Sequence, residues 1–104
     1  MDMIDDNNFK AEVLDAKGTV LVDFFAEWCG PCRQMLPLVG DLATQMAGKI
    51  KVCKVNVDDA PKTPASYDIQ TIPTLMIFKD GQLVDRKVGA MTQSQLNDWV
   101  SSHL

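Results

Sequence analysis

Two cysteines stand three residues apart in Cys29-Gly30-Pro31-Cys32, and a third, Cys53, stands alone. A thiol reacts as its thiolate, so the surroundings of the pair decide what it can do. The pair follows an apolar run, Val20 to Ala26, and precedes a segment of helical periodicity. Cys29 therefore falls at or just before a first helical turn, where unpaired amides and the helix dipole favour the thiolate. A spacing of three puts both sulfurs on one face, with the α carbons close enough to bridge. Pro31 suits that first turn, where a missing amide costs nothing. On this placement Cys29 is expected to be exposed, and Cys32 to face inward one turn later. Zinc is the other chemistry such a pair serves, but a tetrahedral site needs four ligands, and the chain adds only Cys53 and His103. An inert pair of core thiols is the remaining alternative.

Asp23 interrupts Val20-Leu21-Val22 and Phe24-Phe25-Ala26. A carboxylate in a strand buried on both faces is desolvated, which raises its pKa and makes it a candidate proton acceptor for the thiol of Cys32. Cys53 lies among Val52, Val55 and Val57 and reads as a small core residue. Trp99 is core by helical spacing, His103 is expected to be solvated near the chain end, and the six methionines read as core filler.

The elements that must position these groups follow from periodicity. Asn8 to Leu14 carries Phe9, Val13 and Leu14 on one helical face behind capping residues. Val20 to Ala26 is a buried strand. A helix spans about Pro31 to Ala47, with Met35, Leu38, Val39, Leu42 and Met46 inward and Gly48 as its stop. Pro37 predicts a kink in that helix, and Gly40 weakens it by about 1 kcal/mol relative to Ala. Ile50 to Val57 is a second strand, parallel to the first through a right-handed crossover. Asp58 to Tyr67 is a loop with room for a short helix, broken by Pro61 and Pro64. Thr74 to Lys79 and Leu83 to Val88 form a hairpin around Asp80-Gly81. Thr92 and Gln95 make a capping box for a last helix that turns Leu96, Trp99 and Val100 inward. The sum is an α/β fold, a mixed sheet covered by helices on both faces.

The segment Val22-Asp23-Phe24-Phe25-Ala26-Glu27-Trp28-Cys29-Gly30-Pro31-Cys32 resembles the active-site segment of the thioredoxin family. The likeness continues through Pro37, Lys54-Val55-Asn56-Val57-Asp58, Ile72-Pro73-Thr74, Phe78-Lys79-Asp80-Gly81 and Lys87-Val88-Gly89-Ala90. This resemblance implies a five-stranded mixed sheet flanked by four helices and a cis peptide at Ile72-Pro73. It implies an apolar docking patch of Trp28, Gly30, Pro31, Val57, Ile72, Pro73 and Gly89 around Cys29. It also assigns Asp23 as the buried acid, Lys54 as its partner, and Asp58 as acceptor for the Trp28 indole. Phe25 departs from the family, which often carries Trp there, and Gly40 is a second departure.

The implied activity is the reduction of protein disulfides. Cys29 attacks the substrate, Cys32 resolves the mixed disulfide, and a thioredoxin reductase restores the dithiol with electrons from NADPH. Gly-Pro between the cysteines resembles the reducing members, whereas His in the spacer typifies oxidases and isomerases. The chain has no Gly-rich nucleotide loop, so no cofactor is expected on it. A redox-independent binding or assembly subunit that uses the patch around Trp28 and Pro73 is the competing reading.

Composition narrows the rest. With 104 residues, 46% of them hydrophobic and 23% charged, residues 1–104 are expected to form one globular domain, working as a monomer. Ten basic against fourteen acidic residues give a net charge of -4, with no basic stripe for nucleic acid or an anionic membrane. The most apolar run is too short to span a bilayer. The N-terminus is acidic and lacks the basic flank and apolar run of a signal peptide, so a cytoplasmic location is expected. An odd cysteine count agrees with a reducing compartment rather than a disulfide framework.

Overall fold

Every residue of strand β2, Thr19–Phe25, is buried. Its β-branched and aromatic side chains suit a central strand packed on both faces. The computed structural model describes residues 1–104. Around β2 the chain builds β1 (Asp2–Ile4), a π-helical turn (Lys10–Leu14), α1 (Gly30–Gln45), β3 (Ile50–Asn56), α2 (Lys62–Ser66), β4 (Thr74–Lys79), β5 (Gln82–Val88) and α3 (Gln93–Ser101). The five strands lie in the order β1-β3-β2-β4-β5. β3 runs parallel to both β1 and β2, while β2–β4 and β4–β5 are antiparallel. This is the five-stranded mixed sheet with four helical segments of a thioredoxin-like fold.

Alternation along β2 divides the core in two. Val20, Val22 and Phe24 point to one face, with Phe9 and Val13 of the N-terminal segment, Cys53 and Val55 of β3, and Met76 and Phe78 of β4. Leu21 points to the other, under Met35, Val39 and Leu42 of α1 and Leu96, Trp99 and Val100 of α3. Burial of each such side chain contributes roughly 1.5–3 kcal/mol before chain entropy is subtracted. Asp23 shares this second face by the same alternation.

Local chemistry explains most boundaries. The capping box at Thr92 and Gln95 forms as the spacing predicts. The hairpin turn places Asp80 at φ 51° and Gly81 at φ 81°, as a two-residue turn between twisted strands requires. Space reinforces the choice of Gly81: a Cβ there would lie 2.1 Å from the carbonyl oxygen of Leu14. Helix α1 runs unbroken through Pro37.

Three features differ from the pattern-based expectation. β1 carries no periodic signal, because only Ile4 of its three residues is buried. The segment expected as an ordinary helix closes with an i→i−5 bond from Asp15 N–H to the Lys10 carbonyl, the π-helical spacing. His103 is not simply solvated: its Nε2 lies 2.9 Å from Asp85 Oδ2, which also accepts from Trp99 Nε1 at 2.8 Å.

Candidate active site

The end of β2 delivers the chain to Cys29, the N-cap of α1, in an extended conformation at φ -86° and ψ 114°. Its Sγ accepts the Cys32 backbone N–H at 3.2 Å, using one of the free amides of the first turn. The two cysteines form a disulfide across a Cα separation of 5.2 Å. Pro31 occupies the early position where it displaces no helical hydrogen bond. Cys29 is 6% exposed and Cys32 fully buried. The expected order of exposure holds, but Cys29 is less open than the sequence implies. Its side chain packs in a small cluster with Phe25, Ala26 and Cys32, edged by Leu36, Val57 and Ile72.

Two loops complete the surroundings. The Ile72-Pro73 peptide is cis, as the resemblance implies, and the Ile72 carbonyl oxygen lies 3.8 Å from Cys29 Sγ. Gly89 N–H donates to the Pro73 carbonyl at 2.8 Å, which ties the end of β5 to this loop. Trp28, 69% exposed, donates its indole N–H to Asp58 Oδ2 at 2.9 Å. A groove of about 290 Å³ opens beside it, and Trp28, Val57 and Ile72 of the expected patch are among its lining. Gly30, Pro31, Pro73 and Gly89 stay outside the groove lining.

The rest of the lining comes from Pro61, Pro64, Ala65, Ile69 and Gln70, at the start of α2, within it and after it. Sequence reasoning assigns these residues no functional role. Their only signal is the apolar Pro61, Pro64 and Ile69 within a polar connection, a pattern that has no period.

Asp23 is fully buried, and neither carboxylate oxygen has a hydrogen-bond partner. Desolvation dominates and pushes its pKa up to about 7, against a smaller downward pull from the charge of Lys54. Lys54 is the Cα partner of Asp23 across the parallel β2–β3 pair. Its ammonium, however, sits 5.9 Å from the centre of the Phe25 ring. Lys54 therefore acts on Asp23 through space and not as a bonded partner. Cys53 lies fully buried on the opposite face, its thiol pushed up to about 11 by burial.

The thioredoxin family model matches residues 1–102. The chain belongs to the thioredoxin family. It is 48% identical to the thioredoxin of Rhodospirillum rubrum over 102 residues, covering 98% of both chains. It is 52% identical to thioredoxin 1 of a Nostoc species over 101 residues, 97% of this chain and 94% of the relative. Identity to the thioredoxin of Pseudomonas aeruginosa is 46% over the same number of residues, with the same coverage. Family membership and a Cys-x-x-Cys pair at bonding distance make the protein a thiol-disulfide oxidoreductase. Thioredoxins need no bound cofactor, and no cluster of three or more His, Cys, Asp or Glu side chains is arranged to hold a metal here. No helix is long and apolar enough to cross a membrane.

Proposed function

We propose that the protein works as a reductant of protein disulfides, through a division of labour between its two redox cysteines. The observation that carries this is the asymmetric placing of the sulfurs. Cys29 sits at the α1 cap next to exposed Trp28, while Cys32 is sealed one turn later. In the reduced protein the Cys29 thiolate attacks one sulfur of a substrate disulfide. A mixed disulfide forms and the other substrate sulfur leaves as thiolate. The Asp23 carboxylate takes the Cys32 proton, with Lys54 tuning its charge through space. The Cys32 thiolate then attacks Cys29 Sγ, and the second substrate thiolate departs. Two electrons have passed to the substrate, and the pair ends as the disulfide seen here.

Gly30 and Pro31 set the turn that separates the sulfurs, and the loop at Pro73 presents the Ile72 carbonyl beside Cys29. Trp28, Val57, Ile72 and Gly89 form the surface that receives an extended substrate segment. A thioredoxin reductase using NADPH would return the two electrons, so the chain itself carries no cofactor. Residues 1–104 act as one domain and as a monomer in the cytoplasm. The unpaired, buried Cys53 suits a compartment that keeps thiols reduced.

The test is a trap. Cys32→Ser should accumulate mixed disulfides through Cys29, while Cys29→Ser should accumulate none and lose insulin reduction as fully as the double variant. Adducts on Cys29→Ser, or sustained multiple turnover by Cys32→Ser, would show the roles to be wrong.

A further inference from the structure

Helix α2 forms one wall of the groove beside Trp28, yet it is five residues long and has no cap of its own. Pro61 stands at its N-cap, and its side chain offers the first turn no hydrogen bond. A helix this short is not stable by propensity, so its position depends on what holds it. The holder comes from the other end of the sequence. Asp6, between β1 and the π-helical turn, reaches the first turn of α2 with both carboxylate oxygens. Its Oδ2 accepts Lys62 N–H at 3.0 Å, and its Oδ1 accepts Thr63 N–H at 2.8 Å and the Thr63 hydroxyl at 2.7 Å. Three donors thus end on one carboxylate, two of them amides that α2 leaves unpaired. The hydrogen bond from the Thr63 hydroxyl does most to hold the Asp6 carboxyl below the usual carboxylate range.

We infer that Asp6 is a positioning residue for substrate: it caps α2 from outside the helix and so fixes the groove wall made by Pro61, Pro64 and Ala65. This rests on the reading of the groove as the substrate path. Asp6 does not touch the sulfurs, so its loss should weaken docking of a polypeptide and leave the exchange chemistry alone. Trp28, Val57 and Ile72 of the same lining follow β2, follow β3 and stand in the Ile72-Pro73 loop, none of them on α2, so only the α2 part of the groove should loosen. A partner that contacts both α2 and Trp28 must then reorder α2 as it binds, a cost that appears in affinity.

The experiment mixes reduced protein with excess insulin or with 5,5′-dithiobis(2-nitrobenzoate), an aromatic disulfide too small to span the groove. The concentration dependence of oxidation gives a half-saturation value and a limiting rate. Asp6→Ala should raise the insulin half-saturation value about three- to tenfold, with the limiting rate and the small-disulfide rate unchanged. Asp6→Asn keeps the Oδ1 acceptor and should fall between parent and Ala, and it serves if the Ala variant folds poorly. Ala65→Arg, placed on the same wall, should raise the insulin value as well. If Ala65→Arg raises it but both Asp6 variants match the parent, α2 is held without Asp6 and the inference fails. Equal slowing with both substrates would mean a general structural role, which also overturns it. No effect from Ala65→Arg would show that the groove is not the path. A parent protein that reduces neither substrate would instead defeat the reductase reading itself.

Discussion

The two faces of the β2–β3 pair each bury a titratable group, and burial acts on them with opposite consequences. Cys53 and Asp23 are both fully buried, one position apart in register, since Val22 pairs with Cys53 and Asp23 with Lys54. Desolvation raises both. The thiol, pushed up to about 11, stays neutral at any working pH and behaves as a piece of core. The carboxyl, pushed up to about 7, is left in the range where a proton moves readily. The same physical push therefore silences one group and arms the other. What differs is the starting pKa and the neighbour: an apolar cluster around Cys53, and the charge of Lys54 near Asp23.

Removing Asp23 should separate the two groups most clearly. An unfolded Asp titrates near 4 and the folded Asp23 at about 7, so the folded state binds the proton more tightly. That contribution is complete below pH about 4, is lost as pH rises toward 7, and is gone above it. Asp23→Ala should accordingly stabilise the oxidised protein at pH 8 by roughly 1–4 kcal/mol, with the gain shrinking toward pH 4. Urea melts at the two pH values measure this, and a variant less stable than the parent at pH 8 would contradict it. The same variant should slow resolution of the mixed disulfide, read as a longer-lived adduct in stopped-flow.

Removal of the silent group should do the reverse. Cys53→Ala should lose about 1–2 kcal/mol from lost packing and leave insulin reduction unchanged. In the reduced native protein a thiol probe should leave Cys53 unlabelled until denaturant is added, as mass spectrometry can score. Rapid native labelling would place the thiol at the surface and end its equivalence with core.

The smallest effect lies on the helix that covers the Asp23 face. Gly40 sits inside α1, and a Cβ added there would meet nothing within 4 Å. Gly40→Ala should therefore stabilise by about 1 kcal/mol without altering turnover. A shift of the thermal midpoint upward at constant activity is the expected reading. A drop would mean that the helix needs the glycine for a reason its surroundings do not show.

Asp23 is legible in the sequence because one acid in an apolar run is a violation that burial must explain. Cys29 and Cys32 are legible because their spacing and helix entrance are local. β2, the hairpin and the Thr92 capping box share that advantage: each rests on residues within a few positions. β1 does not, since three residues with one buried cannot show a period, and their pairing to β3 spans half the chain. Lys54 shows a subtler limit. Register puts it opposite Asp23 as the resemblance implies, but packing decides the direction of a long side chain, and it turns to the Phe25 ring. The Asp6 contacts with α2 and the link from His103 to Asp85 join residues far apart in sequence, and no local pattern announces such pairs.

The hairpin turn carries a consequence for how this chain can vary. Gly81 is barred from substitution twice, by its positive φ and by the Leu14 carbonyl that a side chain would strike. Asn, which ordinarily relieves the first constraint, still fails the second. In a library of all single substitutions, position 81 should therefore reject even the residues that neighbouring Asp80 accepts. The intolerance would be set by a backbone atom 67 positions earlier, so it could be relaxed only by a change that moves the Leu14 turn itself.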